Sequence, residues 1–473
     1  MRLLVMKFGG TSVEDATAIL RTAGIVRGRR DQGYTPIVVV SAMAKVTDQL
    51  LQATAAAAAG KRSAALDITA RLRARHQSTA AELLGTEDGA LAGEMRDWVD
   101  QEFAAMDEVL RGLVAVGELT PRIHDMIVSY GERLSSHIIA TAFTQLGLNA
   151  AHVDARNCIV TDAQHGRAIP DDQLIEQRLR LHVLPLATEG RTVVMGGFIG
   201  ATEEGRTTTL GRGGSDFTAA LVGGGVDAEA IEIWTDVDGI MTTDPRLVPG
   251  ALRVKSISFE EAAELAYFGA KVLHPATILP AVKKNIPVLV LNSRNPANEG
   301  TRISAVAPHC SSPFKSIAAK KRLTIIDVVA SRMLMTHGYL KAIFDIFDKH
   351  KCSIDMVSTS EVSVSLTVDS NEKLAEIAAD LSVIADVKYE GRKALICLVG
   401  EDIRGHSGMA ARVFGAVRHV NMRMISQGAS EINMSFMIDE DDVEEAVKAL
   451  HAEFFSNPDP SIFDVEAVRE SVV

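Results

Sequence analysis

Lys7-Phe8-Gly9-Gly10-Thr11-Ser12 sets a lysine at the end of an apolar run and two glycines just ahead of a helical pattern. Bare glycines let an anion approach backbone N–H groups, a helix N-terminus attracts it, and the lysine supplies a full positive charge. An ordinary strand-to-helix turn reads equally well from this segment alone. Gly205 to Asp216, GRTTTLGRGGSD, is more specific, because its glycines, threonines and arginines leave nothing to pack a core. It suits a second cradle for phosphate or carboxylate, with a flexible surface loop as the alternative. Asp216 stands where a dinucleotide fingerprint needs its third glycine, and Gly60-Lys61 lacks the upstream spacing of a Walker loop. Two further polar clusters, Trp234 to Arg246 (WTDVDGIMTTDPR) and Phe268 to Pro275 (FGAKVLHP), follow a strand and a helix pattern, at the kind of edge where open α/β sheets bind ligands. His274, before a proline in an apolar context, reads as structural, and no HExxH or other metal-ligand spacing occurs.

The elements that must position these groups alternate. Leu3 to Phe8 reads as a strand, Ala16 to Val26 as a helix and Ile37 to Val40 as a buried parallel strand, and the polar segment Ser41 to Thr47 leads into another helix. Thr192 to Met195, Ala230 to Trp234 and Pro287 to Leu291 are further buried strands, so the pattern predicts a mostly parallel sheet covered by helices. The Ala-rich stretch from Ala53 and the charged sequence up to Gly117 predict a solvated helical subdomain. Between Ala297 and Pro313 the chain loosens into a boundary. Beyond it the sequence repeats: Gly338, Phe344, Ser360, Glu361 and Ser365 return about seventy residues later as Gly408, Phe414, Ser430, Glu431 and Ser435. Each copy reads as a βαββαβ, ferredoxin-like module. The acidic run Asp439 to Glu445 fits the first turn of the last helix, where the helix dipole favours carboxylates.

Composition narrows the partners. At 473 residues the chain has room for about three domains. Lys plus Arg number 49 against 61 Asp plus Glu, a net charge of −12 that excludes a general nucleic-acid or membrane-surface binder. Any small anion must therefore meet a local basic site. Four separated cysteines without a CxxC pair indicate neither a disulfide framework nor a zinc knuckle, and with no long apolar segment the expectation is a cytoplasmic protein.

Taken in order, KFGGTS, SAMAKVT (Ser41 to Thr47), SYGERLSS (Ser129 to Ser136), GFIGATEEGRTTTLGRGGSD (Gly197 to Asp216), WTDVDGIMTTDPR and FGAKVLHP resemble the aspartate kinases of the amino-acid kinase superfamily, and the duplicated tail resembles their paired ACT regulatory modules. The likeness runs from Lys7 to about Phe455 and is nearest to the monofunctional, lysine-sensitive type. It implies a catalytic domain over 1–308 and ACT-like modules over 309–390 and 391–473, with 309–322 a candidate for a strand shared with the second module. It also implies ATP and Mg2+ as cofactors, L-aspartate as substrate, L-lysine as effector, and a homodimer or dimer of dimers.

The same resemblance distributes roles. Lys7, Gly9, Gly10 and Asp216 fall at catalytic positions, the first three facing the transferred phosphoryl group and Asp216 either orienting Lys7 and nearby donors or stabilising its own loop. Arg212 is expected to clamp the α-carboxylate of aspartate and Glu132 its ammonium group, with Ser41, Thr47, Phe198 and Ser215 at further substrate contacts. Thr235, Asp236, Met241, Arg246, Lys271 and Val272, together with Lys7, match nucleotide contacts. Met333, Thr336, Tyr339, Leu340, Ser353, Ile354, Asp355, Thr359, Ser360 and Glu361 align with inhibitor-lysine positions. Met241 stands where relatives often carry tyrosine, Lys45 where glycine is usual, Thr336 for serine and Arg332 for asparagine. Lys45 is expected to point into solvent. A kinase for glutamate or N-acetylglutamate, and a non-catalytic amino-acid sensor, are the competing functions; the joint presence of Lys7, Arg212 and Asp216 disfavours the sensor.

Overall fold

The computed structural model describes residues 1–85, 90–269, 275–308, 313–329, 338–369, 372–428 and 430–465. They fall into two compact units, Met1–Ile240 with Val272–Ala307, and Met241–Lys271 with Pro308–Val473. The segment Met241–Lys271, assigned from sequence to the catalytic domain, thus packs within the second unit.

In the first unit the strands are β1 (Arg2–Phe8), β2 (Tyr34–Val40), β3 (Ala150–His152), β4 (Thr192–Gly196), the short hairpin β5 (Ile199–Ala201) and β6 (Thr207–Thr209), and β7 (Ala230–Thr235); β8 (Ser256–Ser258) belongs to the second unit, and β9 (Val288–Asn292) and β10 (Thr301–Ser304) complete the first. Within this unit the sheet runs β3-β4-β2-β1-β7-β9-β10, parallel from β3 to β9, with β10 antiparallel to β9. Helices cover it: α1 (Ala16–Asp31), α2 (Val46–Ala58), α3 (Arg62–Leu84), α4 (Ala90–Val116), α5 (Pro121–Val128), α6 (Tyr130–Gln145), α7 (Asp172–His182), α8 (Leu184–Thr188) and α9 (Gly214–Gly225). Coverage on both faces is why β1 and β2 are almost uninterrupted apolar runs, with Val5, Met6, Phe8, Val38, Val39 and Val40 fully buried.

The stretch expected as a solvated helical subdomain is instead part of this core. Leu72, Val99, Phe103, Met106 and Leu110 from α3 and α4 share one apolar cluster with Phe8, Val40 and Trp234. The buried face of α3 mixes Leu72, Leu83 and Leu84 with Ala65, Thr69, His76, Thr79 and Ala80, small and polar residues that weaken the inward face's signal in the sequence. Burial lowers the His76 pKa to about 4, so it sits in that core as a neutral ring, its Nδ1 2.7 Å from the Leu72 carbonyl.

The second unit holds α10 (Phe259–Tyr267), started by a capping box between Ser258 and Glu261, while α11 (Leu279–Lys283) returns to the first unit. Its sheet comprises β11 (Phe314–Val329), β12 (Val357–Thr359), β13 (Ser363–Val368), β14 (Asp386–Gly400), β15 (Met424–Ser426) and β16 (Asn433–Asp439), antiparallel in the order β12-β13-β11-β14-β16-β15. Helices α12 (Tyr339–Lys349), α13 (Leu374–Ser382), α14 (Met409–Ala416) and α15 (Val443–Phe455) pack on it. The repeat is visible in its caps: α12 and α14 both start at a glycine in the left-handed region, Gly338 at φ 82° and Gly408 at φ 81°. The long strands serve both copies. Thr324–Val329 of β11 pairs with β13, whereas Phe314–Lys320 pairs with the far half of β14, which itself pairs with β16. Glu444 and Glu445 occupy the first turn of α15, where the acidic run was expected to lie.

Candidate active site

Register brings the functional strand ends level. Phe8 pairs with Val40 on one side and Trp234 on the other, and Val40 pairs with Gly196. The residues that follow, Gly9-Gly10, Ser41, Gly197-Phe198 and Thr235-Asp236, therefore share the carboxyl edge of the sheet on both sides of β1, where the strand order reverses and open sheets form their binding crevice.

Lys7 ends up 9% exposed, with Nζ 2.6 Å from Asp216 Oδ1 in the first turn of α9. A Cβ on Gly9 would stand 3.7 Å from that Nζ, so the missing side chain leaves the ammonium open on this side. The Gly9 N–H, expected to face an anion, instead donates to the Trp234 carbonyl at 3.1 Å, because β1 keeps pairing with β7 one residue beyond Phe8. Gly10, which opens a 3₁₀ turn, retains its amide for that purpose.

Ser41 is held from three directions. Its N–H donates to the Phe8 carbonyl at 3.1 Å, its Oγ to Ser215 Oγ at 3.0 Å, and its carbonyl accepts from Ser135 Oγ at 2.8 Å. Glu132, on α6, is 4% exposed; Oε1 accepts from the Ala42 N–H at 3.2 Å, while Oε2 is buried without a partner among the described residues. Burial pushes its carboxyl up to about 8, the Ala42 hydrogen bond opposing only in part. Gly131 permits this approach, since a Cβ there would lie 2.8 Å from Ala42 Cβ. Thr47 is half-buried in the first turn of α2. Lys45, just before it, is exposed at φ 65°, which explains why glycine suits the position and agrees with a side chain directed to solvent.

Phe198 adopts φ 66°, unfavourable for a bulky residue and held by its N–H on Thr218 Oγ1 at 2.9 Å and its carbonyl on the Leu210 N–H at 2.9 Å. Arg212 lies between Gly211 at φ 77° and Gly213 at φ 73°; it is exposed and makes no hydrogen bond or ion pair among the described residues. Thr235 ends β7, its carbonyl bound by the Ser293 N–H at 2.8 Å, and Asp236 beside it is exposed. Ser135, Thr218 and the Trp234 carbonyl were not among the sequence candidates. Ser135 was within reach, three residues beyond Glu132 and so on the same side of a helix; the other two depend on distant pairing.

In the second unit, Met241 is half-buried and its carbonyl accepts from Ser316 Oγ at 2.7 Å. Arg246 is 85% exposed and forks onto Asp244, with contacts of 2.6 to 3.1 Å. Lys271 and Val272 lie outside the described residues, as do Met333 and Thr336 among the effector candidates. Of the remainder, Leu340, Ser353, Thr359, Ser360 and Glu361 are exposed, and Tyr339 donates to the Ile384 carbonyl at 3.3 Å. The Ile354 carbonyl accepts from Tyr267 at 3.4 Å. Asp355 is already paired, 2.8 Å from Lys320 Nζ, which also lies 3.2 Å from Asp369; burial nevertheless raises the Asp355 carboxyl above its usual range.

The edge of the first unit thus offers a lysine held by a carboxylate beside a bare glycine and, among the described residues, an arginine without a partner and a buried carboxyl with one oxygen unused. Such a set of charged groups is chemically able to neutralise and position small anions.

The chain matches the amino acid kinase family over residues 2–292 and an ACT domain over 396–454. It is 36% identical over 467 residues to lysine-sensitive aspartokinase 3 of Escherichia coli strain K12, covering 96% of this chain and 99% of the relative. It is likewise 36% identical over 480 residues to the chloroplastic aspartokinase 3 of Arabidopsis thaliana, covering 95% and 81%. Among solved structures it is similar to E. coli aspartokinase III in complex with aspartate and ADP (R-state), with a TM-score of 0.83, 35% identity and coverage of 96% and 100%. The same enzyme in complex with lysine and aspartate (T-state) gives a TM-score of 0.80 at 36% identity, covering 96% and 99%.

Proposed function

Because the chain belongs to the amino acid kinase family and, within it, to the aspartokinases, ATP-dependent kinases acting on a carboxyl group, we propose that it transfers the γ-phosphoryl group of ATP to the β-carboxylate of L-aspartate. A carboxylate oxygen bonds to phosphorus as the bond to the β,γ-bridging oxygen breaks, giving 4-phospho-L-aspartate and ADP. Such a transfer asks for positioning and charge neutralisation rather than a covalent enzyme intermediate.

In this reading Lys7, held by Asp216, and the Gly10 amide stabilise the phosphoryl oxygens in transit, and the bare Gly9 keeps the approach open. Arg212 forks onto the α-carboxylate, a geometry lysine lacks. Glu132 accepts from the ammonium group through its unused oxygen, and this is the observation that carries the choice of an amino acid as phosphoryl acceptor. Ser41, Thr47, Phe198 and Ser215 line the remaining substrate contacts. Thr235, Asp236, Met241, Arg246, Lys271 and Val272 are proposed nucleotide contacts from the family pattern, Asp236 toward the sugar. Among the described residues no group of three or more His, Cys, Asp or Glu could hold a metal ion, and Asp216 is engaged by Lys7. The donor set therefore suits Mg2+ carried chiefly by the nucleotide phosphates, where it supplies further charge neutralisation.

We further propose L-lysine as an inhibitor bound by the first ACT-like module (309–390), the second module being 391–473, and a homodimer or dimer of dimers. No helix among the described residues is long and apolar enough to cross a membrane, and a cytoplasmic enzyme opening the route to lysine, threonine and methionine is the matching role.

The test is ADP release with Mg2+ and ATP, dependent on L-aspartate, with hydroxylamine trapping the acyl phosphate as a hydroxamate. Glutamate, N-acetylglutamate and N-acetylaspartate serve as rivals. The acetylated compounds lack the ammonium group and are expected to fail; absence of both ADP and hydroxamate with aspartate refutes the reading.

A further inference from the structure

Arg212 presents a difficulty that the rest of the site does not. Its side chain has no protein partner among the described residues, so only its backbone aims it, and that backbone runs between two left-handed glycines. Something else must hold this segment still. The neighbouring structure converges on Asp125, on α5, which is 0% exposed.

Asp125 Oδ1 accepts from Thr209 Oγ1 at 2.7 Å and Oδ2 from the Thr209 N–H at 3.2 Å. The Gly166 N–H donates to both oxygens, at 3.0 and 2.9 Å, and His165 Nδ1 lies 3.0 Å from Oδ2. Thr209 is the last residue of β6, three before Arg212. Gly166 backs the turn that follows, its carbonyl only 3.2 Å from where a Cβ on Gly211 would stand. On its own side, α5 passes through Ser129 directly into α6, which carries Glu132 seven residues after Asp125. One buried carboxylate therefore joins the strand that aims Arg212 to the helix that carries Glu132.

We propose that Asp125 is a positioning residue for amino-acid recognition: it fixes the separation between the groups expected to hold the α-carboxylate and the α-ammonium, without touching substrate itself. This rests on the aspartate-kinase reading. A displacement of about 1 Å at a positioned group can lower rate or affinity by about a hundredfold. An amide at this position would turn a donor toward N–H groups that need acceptors, which makes Asp125→Asn the sharp perturbation.

The experiment measures kcat, the KM for aspartate, the KM for ATP and Tm in the full-length chain for Asp125→Asn and for Thr209→Val, which removes only the hydroxyl bond. Asp107→Asn is the control, a buried carboxylate on α4 that accepts from Thr69 at 2.7 Å and Arg73 at 3.1 Å. The expected result is a ten- to hundredfold rise in the aspartate KM for Asp125→Asn and a smaller rise for Thr209→Val. The ATP KM stays within about twofold, and Asp107→Asn loses Tm alone. Equal changes in both KM values, or a lowered Tm with an unchanged aspartate KM, overturn the positioning role. If Asp125→Asn fails to fold, Thr209→Val decides by the same criterion. A wild-type chain that forms no hydroxamate from aspartate would instead strike the functional reading beneath it.

Discussion

Glu132 gives a quantitative handle on substrate binding. With its carboxyl at about 8, only about one molecule in eleven carries the charge at pH 7, and half do at pH 8. If the aspartate ammonium binds the ionised form, apparent affinity scales with that fraction. The dissociation constant should then fall about fivefold from pH 7 to 8 and less than twofold from 8 to 9, a penalty near 1.4 kcal/mol at pH 7. Binding at pH 7 should also release about 0.9 proton per aspartate, visible as a dependence of the calorimetric heat on buffer ionisation enthalpy. Glu132→Gln removes the proton release and weakens binding by about 10- to 150-fold, the loss expected of one charge-assisted hydrogen bond.

Stability moves the other way. Burial raises the folded carboxyl above the ordinary 4.5 of a glutamate, so the folded state holds the proton that the unfolded chain has already released. Ligand-free stability therefore falls as pH rises through this window, by up to about 1.4 kcal/mol per pH unit, and levels off above pH 8. At pH 8.5 Glu132→Gln should melt above the wild type despite its weaker binding. An aspartate affinity that is flat from pH 6.5 to 8.5, without proton release, would refute both the buried protonated carboxyl and its role.

Lys7→Met should lower kcat by about a hundred- to a thousandfold with little change in the aspartate KM, as loss of a transition-state contact does; full turnover in steady-state assays would remove its assigned role. Lys45→Gly relieves a left-handed non-glycine residue at an exposed site, so Tm should rise slightly while kcat/KM stays within about twofold. Lys320→Met releases Asp355 from its internal ammonium partner. Calorimetry should then show L-lysine binding more tightly, by about threefold or more, if the effector's ammonium competes for that carboxylate; equal or weaker binding would exclude such competition.

Much of both units was legible locally. The strand–glycine–helix motifs, the buried parallel strands and the repeat in the tail are short-range patterns, written in spacing and in glycines such as Gly338 and Gly408 that cap equivalent helices. The stretch from Ala53 to Gly117 reads as solvated because its charge is high and the inward face of α3 carries alanines, threonines and a neutral histidine; the apolar spacing Met95, Val99, Phe103, Met106, Leu110 in α4 was the local signal of burial.

The sequence by itself determined the family, the chemistry available and the strand ends that carry it, because those depend on residue types a few positions apart. Tertiary structure alone decided which groups meet. Lys7 reaches Asp216, and Ser41 reaches Ser215, only because strand order sets β1 and β2 beside α9, which begins in the last three residues of the GRTTTLGRGGSD segment. The β1–β7 register assigns the Gly9 amide to Trp234 rather than to a ligand, and in the other sheet the long β11–β14 pairing lets those two strands serve both repeats. Such pairings arise from burying apolar faces across many residues of chain, and no local pattern encodes them.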